Sequence, residues 1–271
     1  MDVKLDFSGQ TVVVIGGTSG INLGIAEAFA ANGANLAVAS RSQDKVDAAT
    51  ETLKGYGIQA IGFSADVRDA DAVKAAIQGM HEAFGDIDVL VSGAAGNFPA
   101  PVLGMSANGF RSVIDIDLRG TFHVLQSAHP YLCKPGASII NISAPQAFVP
   151  MQLQAHVCAA KAGVDMITRV LAMEWGADGI RVNSVVPGPI AGTEGMQRLA
   201  PTPGIQKAIT DSVPLGRMGT PSDIANTVMF LSSPLAEYVT GAVIPVDGGW
   251  SLAGVSVAGA GLAKAAGKQA S

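Results

Sequence analysis

Thr11-Val12-Val13-Val14-Ile15-Gly16-Gly17-Thr18-Ser19-Gly20-Ile21-Asn22-Leu23-Gly24 decides the fold of this chain. Its first five residues are an unbroken, mostly β-branched run, which suits a strand buried on both faces. The run breaks into glycines and resumes with helical spacing through Ile25, Phe29 and Ala30. A strand feeding a glycine-rich turn that opens a helix brings main chain close to a pyrophosphate. Glycine removes the Cβ atoms that would block the phosphates, and the unpaired N–H groups of the first helical turn face the negative charge. An ordinary turn can share this local pattern, so the rest of the chain must supply the context.

That context is a continuing alternation. Asn35–Ser40, Ile58–Ser64, Asp88–Ser92, Ser138–Ser143, Arg181–Val186 and Ala242–Val246 read as strands. Gln43–Gly55, Asp69–Phe84, Ser106–Leu132, about Ala155–Trp175 and Pro221–Ser232 read as helices, the last with proline just inside its start. Repeated βα units predict an α/β chain: a single Rossmann-type domain over residues 1–251, with a doubly wound, seven-stranded parallel sheet and helices on both faces. Residues from about 188 to 215 are rich in Gly, Pro and Thr and too long for a simple connection, which makes them a candidate substrate lid. Residues 252–271 form an Ala/Gly-rich tail, either a loose extension or an arm lying on a neighbouring subunit.

Composition narrows the partners. Of 271 residues 48% are hydrophobic, yet no apolar run reaches the ~18 residues of a membrane span. The N-terminus, Met1-Asp2-Val3-Lys4-Leu5-Asp6, lacks the basic and apolar regions of a signal peptide. Cys133 and Cys158 show no metal-ligand spacing and suit a reducing, cytoplasmic setting. His81, His123 and His129 show no ligand spacing either, and no metal is expected. The net charge is −5 with no basic stripe, so neither nucleic acid nor membrane is an expected partner.

Ala39-Ser40-Arg41-Ser42 closes the second strand, where the adenosine ribose should lie. An NAD site usually offers a carboxylate there; this chain offers the Ser40 hydroxyl and the Arg41 guanidinium, which suit a 2′-phosphate, so the expected cofactor is NADPH. Asp66, after the third strand, is placed to accept from the adenine amino group, a role compatible with capping the next helix.

Gly16-Gly17-Thr18-Ser19-Gly20-Ile21, Ala94-Ala95-Gly96-Asn97-Phe98, Asn141-Ile142-Ser143, Ala159-Ala160-Lys161-Ala162, Arg181-Val182-Asn183-Ser184, Pro187-Gly188-Pro189-Ile190 and Val246-Asp247-Gly248-Gly249 occur in this order. Together they resemble the short-chain dehydrogenase/reductase family from about Leu5 to Trp250. The resemblance implies one Rossmann domain, usually assembled into a homotetramer through long paired helices. It places the dinucleotide on Gly16, Thr18, Ser19, Gly20, Ile21, Ser40, Arg41, Asp66, Val67, Ala94, Ala95, Gly96, Lys161, Pro187, Gly188, Ile190 and Thr193.

Three departures from that pattern carry the chemistry. Where most members have a catalytic Tyr four residues before the Lys, this chain has Val157. Ala144, beside Ser143, stands at the usual Ser position, and Asp117 at the usual Asn. Valine cannot donate a proton, which disfavours plain carbonyl reduction. The branch of peroxisomal-type 2,4-dienoyl-CoA reductases is similar in these same departures. It is also similar in Asp115-Ile116-Asp117, Gly120-Thr121-Phe122, Leu153-Gln154 with His156, and the run from Pro187 to Gly195. That resemblance implies NADPH-dependent reduction of a conjugated acyl-CoA diene, with Asp117 and Lys161 as the catalytic pair organising a proton-donating water. It also places the acyl-CoA against Arg68, Phe98, Ser106, Asn108, His156 and Arg198. The arginines, Ser106 and Asn108 could equally be surface residues or helix caps. For His156 a packing or lid role is favoured over that of a substitute acid. Lys268-Gln269-Ala270-Ser271 is not a Ser-Lys-Leu signal, so the expected compartment remains the cytoplasm. The other reading kept open is a homologue that binds NADPH as a sensor or scaffold, or one that reduces a different activated alkene or carbonyl.

Overall fold

The computed structural model describes residues 5–252, apart from the side chains of residues 198 and 199. The tail at 252–271 therefore lies outside the described residues, except for Leu252 at the end of a short turn, Trp250–Leu252.

Seven strands form one sheet: β1 (Thr11–Ile15), β2 (Asn35–Ser40), β3 (Ala60–Ser64), β4 (Val89–Ser92), β5 (Ser138–Ile142), β6 (Arg181–Pro187) and β7 (Val243–Val246). Their order is β3-β2-β1-β4-β5-β6-β7, and every pairing is parallel. Sheet side chains alternate between two cores. Val12, Val14, Leu36, Val38, Ile140 and Ile142 enter one core, with Ile25, Phe29 and Val228. Val13, Ile15, Ala37, Ala39 and Ile139 enter the other, with Ile77, Val124 and Leu125. Both sides are covered, which is why these strands read as continuous apolar runs. Each fully buried Val, Leu, Ile or Phe contributes roughly 1.5–3 kcal/mol.

The helices are α1 (Gly20–Ala31), α2 (Gln43–Lys54), α3 (Ala70–Phe84), α4 (Ala107–Val113), α5 (Gly120–Ala128), α6 (Ala155–Trp175), α7 (Glu194–Leu199), α8 (Pro203–Ser212) and α9 (Pro221–Ser232). Strand order reverses between β1 and β4, so the glycine turn after β1 and the loop after β4 flank one crevice at the carboxyl edge of the sheet.

Two sequence expectations need correction. Ser106–Leu132 is not one regular helix. A π-helical segment, Ile114–Arg119, separates α4 from α5, and α5 runs into a 3₁₀ turn at His129–Tyr131. Such segments carry one extra residue per turn and concentrate at functional sites; this one carries Asp117. The stretch around 188–215 contains α7 and α8. Thr193 and Thr202 cap their starts by accepting from Met196 N–H and Ile205 N–H, and Pro203 follows the second cap. Thr193-Glu194 and Thr202-Pro203 are helix-start signals set within a Gly/Pro/Thr-rich composition that favours loop. Other boundaries differ by a residue or two, the ordinary fraying of element ends.

Candidate active site

The glycine turn is held tightly from below. Gly16 and Gly20 have φ of +80° and +56°, conformations that L side chains rarely adopt. A Cβ on Gly17 would meet Val14 O at 2.8 Å, and one on Gly16 would meet Ala94 N at 3.0 Å. Asn22, on the first turn of α1, donates from Nδ2 to Gly93 O at 2.8 Å, tying the turn to the end of β4 across the crevice.

A cleft of about 350 Å³ opens over this turn. Gly16, Thr18, Ser19, Ser40, Arg41, Val67, Ala94 and Ala95 line it, so these expected cofactor residues do converge. The cradle fits a dinucleotide on its own terms: glycines at 16, 17 and 20 let the turn pack closely at the strand end, and the buried Ser40 Oγ at the cleft wall has no hydrogen-bond partner. Lys45 also lines the cleft, a cation the sequence reading missed although it lies one helical turn beyond Arg41. Its Nζ reaches Glu194 Oε1 of α7 at 3.0 Å, bridging the cleft wall to the candidate lid.

Asp66 departs from expectation as a cap. Asp69 caps α3 instead, accepting from Asp71 N–H and Ala72 N–H. Both Asp66 carboxylate oxygens are engaged by Arg68, which holds that carboxyl below its usual range, against the opposing effect of burial. Arg68 is thus committed to an internal ion pair rather than extended toward a phosphate. Ile190 is buried, Gly188 lies against Asp247, and Thr193 Oγ1 donates to Ile190 O at 3.0 Å. Ser106 caps α4 by accepting from Gly109 N–H, and Asn108 is exposed in the first turn of the same helix. The Arg198 side chain lies outside the described residues.

The catalytic candidates meet against the loop after β4, where Gly96 follows the cleft-lining Ala95. Asp117 is 1% exposed and Lys161 5%. Asp117 Oδ1 accepts from Gly96 N–H at 2.7 Å, and Oδ2 lies 3.4 Å from Lys161 Nζ. Lys161 Nζ also donates to Ile142 O at 3.0 Å, and Thr121 Oγ1 donates to Asp117 O at 2.7 Å. Burial pushes the Asp117 carboxyl above its ordinary pKa, even though Lys161 and Gly96 N–H both favour the charged form. Val157 is buried with Val113 and Ala160 and offers no polar atom.

Further buried polar groups lie on α6 and the segments packed against it. His156 is wholly buried, neither of its ring nitrogens has a hydrogen-bond partner, and its ring packs edge-on against Phe98 with centroids 4.6 Å apart. An unsatisfied buried polar group costs about 1–3 kcal/mol. Asp165, one turn after Lys161, accepts from Ser184 Oγ at 2.8 Å; burial raises its pKa against the pull of the Ser143 and Ser184 hydroxyls. Ser143 Oγ itself completes no hydrogen bond of normal geometry. Gln146 Nε2 donates to Gln154 Oε1 at 2.8 Å beside the start of α6. Asp165 and Gln146 were not anticipated. The signal for Asp165 was a lone acid four residues beyond the lysine inside an apolar helical run.

A phosphate cradle at the switch point of a parallel sheet, with a buried carboxylate–ammonium couple against the loop after β4, defines a dinucleotide-dependent oxidoreductase. A profile described as enoyl-(acyl carrier protein) reductase matches residues 15–251. The peroxisomal 2,4-dienoyl-CoA reductase [(3E)-enoyl-CoA-producing] of Arabidopsis thaliana is 43% identical over 251 residues, covering 89% of this chain and 84% of that protein. The protein of the same name from Pongo abelii is 45% identical over 243 residues, covering 89% and 83%. Among solved structures, a short-chain type dehydrogenase/reductase from Mycobacterium ulcerans superposes with a TM-score of 0.87 at 30% identity, covering 92% of each chain. A short chain dehydrogenase from Bacillus anthracis gives 0.80 at 37%, covering 89% and 96%. The chain belongs to the short-chain dehydrogenase/reductase family.

Proposed function

We propose that the protein reduces the conjugated double bonds of a 2,4-dienoyl-CoA thioester with NADPH, Asp117 and Lys161 organising a proton-donating water. The observation that carries this reading is the buried Asp117–Lys161 couple, 3.4 Å apart, beside a Val157 that cannot act as an acid. The names of the Arabidopsis thaliana and Pongo abelii relatives support the same substrate class.

NADPH, when bound, supplies the hydride. Arg41 and Lys45 supply positive charge for a 2′-phosphate, and the partnerless Ser40 hydroxyl is available to bond it. Addition of hydride at the far end of the diene sends negative charge along the conjugated chain to the thioester oxygen. A carbon then takes a proton, which a water bonded to both side chains can give. The Lys161 ammonium stabilises the hydroxide left behind, while Asp117, fixed by Gly96 N–H, sets the orientation of the water. The reading includes assembly as a homotetramer and a cytoplasmic location, the latter in contrast to the relatives named as peroxisomal.

The test is a panel of enoyl, dienoyl and ketone substrates assayed with NADPH and NADH. Loss of dienoyl absorbance with NADPH is expected. Turnover of simple ketones instead, or cofactor binding with no turnover of any thioester, would refute the assignment.

A further inference from the structure

We infer that His156 is a catalytic hydrogen-bond donor to the thioester oxygen, kept under Phe98 until the acyl-CoA displaces that ring. This inference rests on the dienoyl-thioester reading and assigns a group to the one charge which that reading leaves without a partner.

The negative charge created by hydride addition gathers on the thioester oxygen. That oxygen is bonded to the carbon adjacent to the one that accepts the proton when the product is a 3-enoyl thioester. A donor for it must therefore lie close to the Asp117–Lys161 couple. The donors of that couple have other work: two of the three Lys161 Nζ protons face Ile142 O and the Asp117 carboxylate, the third is left for the water, and Gly96 N–H is given to Asp117 Oδ1. His156 packs against Phe98, two residues beyond the Gly96 whose N–H holds Asp117. It is 0% exposed, and both its ring nitrogens are without partners. A buried imidazole with two idle polar atoms beside a buried carboxylate is a group arranged for something that arrives later.

One aromatic ring packs on it. Phe98 packs on the imidazole at 4.6 Å with a 62° angle between the rings, while itself remaining 37% exposed. Phe98 belongs to the irregular segment after β4, and that segment is tied to the edge of α6 where Ala100 N–H donates to Leu153 O at 2.9 Å. Leu153 holds a positive φ of 65°, a strained conformation for a branched residue and the only positive φ at a non-glycine among the described residues. An acyl chain entering here meets Phe98 first, and moving the ring aside uncovers the imidazole. During the reaction His156 donates a hydrogen bond only; the hydride comes from the cofactor and the carbon-bound proton from the water, so atoms and electrons balance without a transfer from the ring. The other partnerless hydroxyl nearby, Ser143 Oγ, faces Asp165 and is the competing donor.

The decisive measurement uses the holoenzyme with oxidised cofactor and a short dienoyl-CoA isotopically labelled at the thioester carbonyl. Infrared difference spectra should show the bound carbonyl stretch shifted down in the wild type, back at its solution frequency in His156→Phe, and still shifted in Ser143→Ala. In turnover, His156→Phe should lose about 10²-fold in kcat with little change in KM, the size of effect seen when one oxyanion donor is removed. His156→Asn, which restores a donor, should recover part of the loss and covers the case in which the Phe variant fails to fold. Acylation by diethylpyrocarbonate, mapped by mass spectrometry, should spare His156 in the wild type and reach it in Phe98→Ala, with dienoyl-CoA protecting it. Wild-type kcat and an unchanged carbonyl frequency in the histidine variants would overturn the inference while leaving the dienoyl reading intact. A shift lost only in Ser143→Ala would overturn it in favour of the serine. A wild type that neither binds nor reduces dienoyl-CoA would defeat both proposals together.

Discussion

At the scale of single residues, Asp117 shows how position sets chemistry. Apolar Ile114, Ile116 and Phe122 lie near it in the sequence, a setting that favours burial, and it is 1% exposed. What the sequence could not show is that burial outweighs the Lys161 charge, leaving the carboxyl with a raised pKa. Because the folded value lies above the unfolded one, the stabilising protonated form is fully present below about pH 4 and lost as the pH rises through the folded value. At neutral pH the charged form therefore opposes folding. Asp117→Asn mimics the protonated acid, so its Tm should be unchanged or higher by ~2–4 °C in scanning calorimetry. The same variant should lose at least about 10²-fold in kcat. The wild-type pH–rate profile should carry an acid limb above the ordinary carboxylate range, and that limb should vanish in the variant. A markedly lower Tm would show that Lys161, once alone, is the larger burden. Arg41 tests the other end of the crevice: Arg41→Asp should move cofactor preference toward NADH by about 10²-fold, read by fluorescence titration, since a charge-assisted bond becomes a repulsion. His156 and Asp165 were harder to read, because which way a side chain points on α6 depends on how that helix packs.

At the scale of elements, strands were legible and irregular helix was not. Thr11–Ile15 announces a doubly buried strand because one residue type fills both faces, and all seven strands fall where apolar runs do. The π-helical segment at Ile114–Arg119 leaves no mark in hydrophobic spacing: inserting one residue into a turn changes hydrogen bonding rather than composition. The candidate lid was legible as an anomaly, but α7 and its tie to α2 were not, since Lys45 and Glu194 are distant in sequence. In the proposed reading, that tie lets the candidate lid contest a cation with NADPH. Both side chains are about half exposed, so the pair itself is worth little. Lys45→Ala should weaken NADPH binding by about 2- to 5-fold and leave NADH unaffected, whereas Glu194→Gln should free Lys45 and tighten NADPH by a similar factor. Isothermal titration with both cofactors measures this, and changes of the same sign in the two variants would mean that the pair braces the lid rather than competing for phosphate.

At the scale of the whole molecule, the sheet accounts for its own burial but one helix face does not. Met166, Val170 and Met173 recur at helical spacing on α6, and all three are exposed, as is Phe122 on α5. Neighbouring turns of the same helix bury Val164 and Thr168 against the sheet, so this stripe is a second apolar face on one element. The homotetramer in the proposed reading pairs long helices, and pairing about a two-fold axis would cover such a stripe with its own copy. The same symmetry supplies the test. Met173→Glu would set each carboxylate against an apolar stripe, near the matching carboxylate of the other copy, while touching neither the glycine turn nor the Asp117–Lys161 couple. Light scattering after size exclusion should then report dimers where the wild type gives tetramers, with NADPH affinity retained. A variant that stays tetrameric would move the interface off α6, and a wild type that runs as a monomer at micromolar concentration would remove the assembly from the proposal.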